Sequence, residues 1–336
     1  MKIGVIGAGN WGTALSNLLA DKGLSVTLWA YEKEVAESIN SNHKNALYFN
    51  EFELNPALRA TADMEEAVVD KDMVVFVVPS HVARITAKKA AAFIKKEAVL
   101  VSCTKGIETE TGKLISDVLM ESIPALPADN FCFLSGPSFA REVAKKLPTT
   151  VVIAGNSAVS YMCAQNVFRT DYFMTFTSED VIGVQVGGAV KNVVAVACGI
   201  SDGLGFGHNT RAATITRGLY EMIKIGQALG ANPITFSGLA GVGDLILTCT
   251  SELSRNHQVG LEIGRGKVLS QIQKGTHQIA EGIATAKAIK YLAKKYNFIT
   301  PICSEVYKIL YEGKQPREAV KDLTQLKLHE ELRGIN

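Results

Sequence analysis

The first thirty residues of the chain read as a strand, a glycine-rich turn, a helix and a second strand. An apolar run from Lys2 to Ile6 is followed at once by Gly7, Gly9 and Gly12 in G-x-G-x-x-G spacing. Apolar residues then recur at helical intervals from Asn10 to Lys22, and a second apolar run follows. Because the turn has a strand before it and a helix after it, the pattern predicts a dinucleotide-binding βαβ unit rather than an unrelated glycine-rich turn.

Each glycine of such a turn has a separate mechanical reason. One permits the tight bend, one lets the backbone approach a pyrophosphate, and one lets the helix pack against the strand. The N–H groups and the positive dipole end of the helix that begins at Asn10 are suited to the phosphates. We therefore expect cofactor contacts from the turn and from the start of this helix.

Beyond this unit, strand and helix patterns alternate as far as about Thr177 and then stop. The apolar run from Met73 to Val78 is typical of a central parallel strand that is buried on both faces. From Glu179 onward the chain shows helical periodicity broken by glycine clusters. We predict an α/β fold, with a doubly wound parallel sheet of the Rossmann type in residues 1–178 and an all-helical domain in residues 179–336.

The composition gives no support to nucleic-acid binding or to binding at a membrane surface. The formal net charge of the 336 residues is +2, and there is no basic stripe with interleaved aromatic residues. The six cysteines contain no C-x-x-C pair, and no histidine or cysteine spacing resembles a metal site. We expect reduced thiols, no metal and a cytoplasmic location.

Lys191 is the one formal charge in the apolar stretch 181–200. A charge at the centre of a bilayer is costly, so we expect a buried helix rather than a membrane span. Lys191 has no acidic residue three or four positions away, although burial disfavours an unpaired ammonium group. Two interpretations stay open: the side chain reaches the surface or a distant carboxylate, or it acts on a carbonyl oxygen as an acid/base group.

Other polar side chains stand at turns. Lys105 lies in CTKGIE, Ser138 in SGPSFA and Asp244 in GLAGVGDL. Arg255, in LSRNHQVG, has hydroxyl and amide neighbours, and its guanidinium group matches phosphate oxygens in two-pronged geometry. Taken singly, each is better explained as an ordinary loop residue than as a functional one. The polar, asparagine-rich loop from Asn40 to Asn55 has no role that the sequence indicates.

Six motifs, in this order, resemble those of the NAD(P)-dependent glycerol-3-phosphate dehydrogenase family. They are GAGNWGTAL at 7–15, CTKGIE at 103–108, SGPSFA at 135–140, GGAVKN at 187–192, GLAGVGDL at 238–245 and SRN at 254–256. The resemblance runs from residue 1 to about 313. It implies a helical C-terminal domain like that of 6-phosphogluconate dehydrogenase and a homodimer. It also implies an enzyme that interconverts dihydroxyacetone phosphate and sn-glycerol 3-phosphate with NAD(P)H, for glycerophospholipid synthesis.

The resemblance also implies roles for individual residues. Lys191 would be the catalytic acid/base, giving a proton to the ketone oxygen in the reducing direction. The substrate pocket would consist of Lys105, Gly136, Ser138, Lys191, Asp244, Ser254, Arg255 and Asn256. Besides the glycine turn, the dinucleotide would contact Asn10, Trp11, Tyr31, Tyr48, Lys105, Ala140, Arg255, Ile279 and Glu281.

Two neighbouring residues bear on the choice between NAD and NADP. Glu32 lies twenty residues after Gly12, about where an acidic residue binds the ribose 2′-hydroxyl of NAD. Lys33 leaves room for the 2′-phosphate of NADP, and both residues could simply be an exposed helix start. The acidic residue favours NAD.

Two other functions are consistent with the same opening. A dehydrogenase of the hydroxyacid or ketopantoate type shares the βαβ unit and a lysine on a helix, but it would prefer a carboxylate substrate to a phosphate. A dinucleotide-sensing regulator would bind NADH but would not oxidise it, whichever ketone was supplied.

Overall fold

The computed structural model describes residues 1–273 and 280–325. Contacts divide the chain into two compact units. The first consists of Met1–Thr104 and Ile115–Val181, and the second of Lys105–Leu114 and the chain from Ile182 onward. The sequence assigned all of residues 1–178 to one domain, so the grouping of Lys105–Leu114 with the helical unit differs from that expectation.

The first unit contains one sheet of eight strands. In chain order they are β1 (Lys2–Ile6), β2 (Ser25–Trp29), β3 (Arg59–Thr61), β4 (Met73–Phe76), β5 (Val99–Ser102), β6 (Phe131–Ser135), β7 (Thr149–Gly155) and β8 (Phe173–Ser178). Their spatial order is β3-β2-β1-β4-β5-β6-β7-β8. All four residues of β4 are buried, which confirms the central strand predicted from its apolar run.

Strands β7 and β8 depart from the parallel sheet that the sequence predicted, because both run opposite to β1 to β6. The strands from β1 to β6 pair in parallel, but β6 and β7 are antiparallel, and β8 is parallel to β7. The link from β6 to β7 contains only a five-residue helix, α6 (Ala140–Ala144), which is short for the crossover that a parallel pair requires. The parallel, Rossmann-type arrangement of strands β1 to β6 is confirmed.

The helices of the first unit alternate with its strands. They are α1 (Asn10–Asp21), α2 (Lys33–Asn42), α3 (Met64–Val68), α4 (Ala83–Ala91), α5 (Ile115–Ser122), α6 and α7 (Ala158–Phe168). The apolar side of α1 is buried through Leu15, Leu18 and Leu19, which belong to the core of this unit. The predicted order of strand, turn, helix and strand is confirmed. The asparagine-rich loop begins later than predicted, because α2 continues to Asn42.

The described residues beyond Ser178 form helices and no strand. The α-helices are α8 (Val181–Gly203), α9 (His208–Leu229), α10 (Asp244–Thr250), α11 (Arg255–Gly264), α12 (Leu269–Gln273), α13 (Glu281–Tyr296), α14 (Pro301–Tyr311) and α15 (Pro316–Thr324). The all-helical character predicted for this part of the chain is confirmed within the described residues.

Helix α8 is the central element of the helical unit. By length and composition it could cross a membrane, with a mean hydropathy of 1.7, but 83% of its most apolar window is buried inside the fold. Its valines and alanines form much of the core of the helical unit. Ile107 and Leu114 also belong to this core, and they come from Lys105–Leu114, which we call the inserted segment. The helix is apolar all round because it is packed on all sides, as expected of a core helix.

Candidate active site

Lys191 lies on α8 and is almost fully buried, with 6% of its surface exposed. Its Nζ donates hydrogen bonds to Oδ1 of Asp244 at 2.6 Å and to Oγ1 of Thr248 at 2.8 Å. The side chain therefore does not reach the surface, and its charge is paired with a distant carboxylate. Because that carboxylate is 53 residues away, no helical spacing could indicate the pair.

Asp244 pairs with a second lysine as well. Nζ of Lys105 lies 2.7 Å from Oδ2 of Asp244, so one carboxylate faces two ammonium groups. Burial alone would raise the pKa of Asp244, but the two lysines bring it below its ordinary value. Burial lowers the pKa of Lys191 to about 8, with Asp244 opposing this effect and Lys105 adding to it. The cluster thus contains a lysine that can gain or lose a proton near neutral pH.

Glycines in two motifs bring Lys191 and Asp244 together. A Cβ on Gly187 would lie 2.2 Å from the carbonyl oxygen of Ala240, so glycine is needed for α8 to pack on the turn before Asp244. Residues 187 and 191 are four apart and share one face of α8. Gly241 has φ and ψ of −95° and −108°, and this kink lies in the turn of residues 239–243 that leads into α10 at Asp244.

Thr248 belongs to the cluster, although sequence analysis missed it. It lies one helical turn after Asp244 and is buried. Its hydroxyl donates to the carbonyl oxygen of Asp244 at 2.6 Å and accepts from Lys191. The i to i+4 spacing from Asp244 was the available signal, because residues four apart share a helix face.

A second chain of polar contacts links α8, α11 and α13. Nδ2 of Asn256 donates to Oδ1 of Asn192 at 2.9 Å, and the backbone N–H of Gly282 donates to Oδ1 of Asn256 at 2.9 Å. Asn192 adjoins Lys191 and was also missed from the sequence. Asn256 therefore holds three helices together, and its contact with a substrate stays a prediction.

The start of α11 carries two more of the predicted residues. Oγ of Ser254 accepts the N–H of His257 at 3.3 Å and so caps the helix. Arg255 follows as the first helical residue and is half-buried. A guanidinium group at the positive end of a helix dipole favours an anion. Glu281, predicted to contact the dinucleotide, is the first residue of α13.

The three glycines of the N-terminal turn differ in their surroundings. Gly7 has φ of +115°, and a Cβ there would lie 2.4 Å from the carbonyl oxygen of Val77. A Cβ on Gly12 would lie 1.8 Å from the carbonyl oxygen of Gly7, whereas one on Gly9 would have no atom within 4 Å. Gly7 makes the bend, Gly12 lets α1 pack, and Gly9 leaves open space beside the start of α1. This geometry fits the pyrophosphate of a dinucleotide.

The predicted cofactor residues Glu32, Tyr31 and Tyr48 lie in the same unit, the first two directly after β2. The hydroxyl of Tyr48 donates to Oε1 of Glu32 at 2.7 Å. Burial, followed by the hydrogen bond and charge of Glu32, raises the pKa of Tyr48 to about 12. Tyr31 is 80% exposed. Nζ of Lys33 lies 3.4 Å from Oε1 of Glu37, whereas the hydroxyl of Tyr48 orients the acidic residue, Glu32.

The remaining predicted residues are distributed as follows. Gly136 has φ of +129° in the turn after β6, and Oγ of Ser138 donates to its carbonyl oxygen at 3.0 Å. Ala140 begins α6. Nε1 of Trp11 is buried and makes no hydrogen bond within the described residues. Ile279 lies outside the described residues. The structure thus groups Lys105, Lys191 and Asp244 in the second unit, and the turn with Glu32 and Tyr48 in the first.

Side chains that could bind a metal do not cluster in the described part of the chain. No group of three or more His, Cys, Asp or Glu residues occurs there in a position to hold an ion. The six cysteines form no disulfide, and burial raises the pKa of the Cys132 thiol to about 12. A reaction without a metal stays a prediction.

The chain matches two family models that together span almost its whole length. One is described as the N-terminus of NAD-dependent glycerol-3-phosphate dehydrogenase and matches residues 2–160, and the other, the C-terminus, matches residues 180–321. A glycerol-3-phosphate dehydrogenase (NAD(P)+) from Syntrophotalea carbinolica is 48% identical over 332 residues, which is 99% of this chain and 100% of that protein.

Solved structures agree with the sequence matches. A crystal structure of glycerol-3-phosphate dehydrogenase from Coxiella burnetii has a TM-score of 0.92 and 35% identity, covering 97% of this chain and 99% of that one. A ketopantoate reductase from Ralstonia eutropha has a TM-score of 0.59 with 15% identity, over 95% of this chain and 100% of that one. The second similarity shows a shared fold alone.

Proposed function

The chain belongs to the NAD-dependent glycerol-3-phosphate dehydrogenase family, and from that premise we propose that Lys191 is the proton donor and acceptor of its reaction. The protein is an oxidoreductase that interconverts dihydroxyacetone phosphate and sn-glycerol 3-phosphate with a nicotinamide cofactor. This reaction supplies glycerol phosphate for glycerophospholipid synthesis. The observation that carries the assignment of Lys191 is its burial in a cluster with Asp244, Lys105 and Thr248.

Lys191 can hold a proton at Nζ and donate it to the ketone oxygen of the substrate. A pKa lowered to about 8 makes both protonation states accessible near neutral pH. When the ketone is reduced, the proton moves from Nζ to the oxygen. When the alcohol is oxidised, Nζ accepts the hydroxyl proton. A nicotinamide cofactor held at the glycine turn would supply or accept the hydride.

Asp244 and Thr248 orient Nζ for this transfer. Each occupies one hydrogen-bonding direction of the ammonium group, at 2.6 and 2.8 Å, which leaves one N–H for the substrate. Lys105, on the other oxygen of Asp244, brings a second positive charge near the point where negative charge develops on the oxygen.

The substrate phosphate is assigned to the start of α11. Arg255 offers a guanidinium fork there, at the positive end of a ten-residue helix capped by Ser254. The family resemblance adds Asn256, Gly136 and Ser138 to the residues that contact the substrate. Support for Arg255 comes from residue chemistry, and support for the others from the resemblance.

The cofactor is assigned to the glycine turn, with NAD preferred to NADP. The turn accommodates the pyrophosphate, and the resemblance adds Asn10, Trp11 and Ala140. The carboxylate of Glu32, bonded to the hydroxyl of Tyr48, is suited to accept from a ribose 2′-hydroxyl. The same charge disfavours a 2′-phosphate, because two negative groups would lie side by side.

We propose that the active enzyme is a cytoplasmic homodimer that contains no metal ion. The homodimer rests on the family resemblance, and the location on six cysteines that form no disulfide.

NADH and NADPH oxidation with dihydroxyacetone phosphate tests the assignment. Lys191→Met keeps the apolar stem and removes the proton donor, so we expect turnover to fall by at least about a hundredfold. Lys95→Met is the matched control, because Lys95 is a partly exposed lysine paired with Asp72 in the first unit. Circular dichroism checks that both variants fold.

The outcomes separate the alternatives. Turnover that collapses only in Lys191→Met supports the proposed role. A folded Lys191→Met with turnover within a few-fold of the native value would remove Lys191 from the reaction. NADH binding without oxidation by the native protein would favour a sensor, and oxidation of NADH with ketoacids alone would favour the ketopantoate-type alternative.

A further inference from the structure

The asparagine-rich loop places one fully buried side chain against the glycine turn. Asn45 has no exposed surface. Its Nδ2 donates to the carbonyl oxygen of Ala8 at 2.8 Å and to Oγ1 of Thr13 at 2.8 Å. Its Oδ1 accepts the backbone N–H of Tyr48 at 3.0 Å. The buried amide is thus hydrogen-bonded three times, and two of these bonds tie the loop to the turn and to α1.

Thr13 closes a ring of contacts around the same carbonyl oxygen. Its hydroxyl, on the first turn of α1, donates to the oxygen of Ala8 at 3.2 Å while it accepts from Asn45. The carbonyl oxygen of Ala8 therefore has two buried donors from different elements. Together they fix the plane of the peptide that joins Ala8 to Gly9.

The orientation of this peptide has a direct consequence for a bound pyrophosphate. In a trans peptide the N–H points away from the carbonyl oxygen of the same unit. With the oxygen of Ala8 held inward by Asn45 and Thr13, the N–H of Gly9 points outward. Gly9 is also the position where an added Cβ would meet no atom within 4 Å. The space beside Gly9 is therefore open, and an outward N–H at this position is suited to an anion received by the turn.

The loop that carries Asn45 is itself held firmly. Phe49 is 1% exposed, belongs to the core of the first unit and stacks on Phe52 at 4.6 Å. The N–H of Phe49 donates to the carbonyl oxygen of Asn45 at 2.9 Å. Through Tyr48 the same loop also contacts Glu32. One short segment is therefore bonded to the turn and to the residue assigned to the ribose.

We propose that Asn45 is a positioning residue for the dinucleotide, which orients the Gly9 N–H toward the pyrophosphate without contacting the cofactor itself. Only asparagine or glutamine can donate twice and accept once here, and asparagine is the one with the shorter reach. The proposal rests on the assignment of the glycine turn to the cofactor.

The experiment compares two asparagines of the same loop. Asn45→Ala should raise the dissociation constant for NADH, followed by fluorescence, by about tenfold, the loss expected for one hydrogen bond to a charged group. The turnover number at saturating NADH should stay within about twofold, because Lys191 and its neighbours belong to the other unit. Asn55→Ala is the matched control, since Asn55 bonds to Asn17 and Asp21 and not to the turn.

Thr13 supplies a second, independent test. Thr13→Val removes the hydroxyl and should raise the dissociation constant for NADH, as Asn45→Ala does. Thr13→Ser keeps the hydroxyl and should retain most of the native affinity for NADH. This pair keeps the proposal falsifiable if Asn45→Ala does not fold. Native NADH affinity in folded Asn45→Ala, or in folded Thr13→Val, would overturn it. A native protein that binds no NADH at all would instead overturn the cofactor assignment on which it rests.

Discussion

The ammonium group of Lys191 and the carboxylate of Asp244 form a buried ion pair with 2.6 Å between Nζ and Oδ1. The carboxylate also holds Lys105, so the cluster has two positive charges and one negative charge. Such a site carries a net positive charge, with Lys191 and Asp244 buried and Lys105 partly exposed. It is suited to an oxygen that becomes negative during the reaction, and it makes the protonation of Lys191 sensitive to its neighbours.

The pH dependence of the reaction should report Lys191. The reduction needs the protonated lysine, so kcat/KM for dihydroxyacetone phosphate should fall as pH rises through about 8, and the oxidation should rise over the same range. Asp244→Asn removes the charge that supports the ammonium form, so both transitions should move to lower pH. Steady-state rates from pH 6 to pH 10 measure this. Identical profiles for the native protein and the variant would mean that another group titrates.

Alanine at two glycines of the turn should separate folding from cofactor binding. Gly12→Ala should destabilise the protein by about 2 kcal/mol or more, because its Cβ would lie 1.8 Å from the oxygen of Gly7 and the backbone must move. Gly9→Ala should leave stability unchanged, because the methyl group would meet no protein atom within 4 Å. The same variant should weaken NADH binding, because the methyl group would occupy the space assigned to the pyrophosphate. Urea unfolding and NADH fluorescence measure the two effects. Equal unfolding midpoints for the two variants would contradict the packing argument.

The preference for NAD should depend on Glu32. Glu32→Ala should weaken the binding of NADH more than that of NADPH, because a charge-assisted hydrogen bond to the ribose is lost. The ratio of the two KM values should shift by about tenfold. Tyr48→Phe should shift the ratio less but in the same direction, because the carboxylate loses the hydroxyl that orients it. Lys33→Ala is the comparison. A larger effect on NADPH from Lys33 than on NADH from Glu32 would reverse the assignment.

A buried acid in the helical unit should make stability depend on pH. Both oxygens of Glu221 accept N–H groups at the start of α14, from Ile302 at 2.6 Å and Cys303 at 3.0 Å. Burial nevertheless raises the pKa of Glu221 to about 7. The folded protein then binds this proton more tightly than the unfolded chain, so ionisation of Glu221 costs stability between pH 4.5 and pH 7.

The free energy of unfolding of the native protein, relative to Glu221→Gln, should therefore fall by about 3 kcal/mol across that range. Below pH 4.5 and above pH 7 the difference should be constant. Urea unfolding at several pH values measures it. A difference that does not change with pH would show that Glu221 keeps an ordinary pKa.

Local patterns were sufficient for much of the first unit. The glycine turn needs backbone conformations and close approaches that only glycine permits, so its spacing, together with the strand before it and the helix after it, identifies it from the sequence. The strand at β4 is apolar because both of its faces are buried. These features depend on residues that are neighbours in the chain, and the sequence therefore predicts them.

Tertiary pairings were not predictable in the same way. The partner of Lys191 is Asp244, and nothing in the spacing of 53 residues indicates a contact. The antiparallel position of β7 depends on the length and path of a connection, and the strand's own residues read the same in either direction. The motif resemblance named most residues of the cluster, but it did not reveal that Asp244 joins both lysines.

The inserted segment Lys105–Leu114 also has a consequence for the order of events during synthesis. Its buried side chains, Ile107 and Leu114, belong to the core of the helical unit, and the next fully buried member of that core is Val186. Val186 follows Leu114 by 72 positions in the chain. At a translation rate of about 5–20 residues per second, the two apolar side chains leave the ribosome about 4 to 14 seconds before their partners. The nascent enzyme thus carries an uncovered apolar segment while its nucleotide-binding sheet is still being completed.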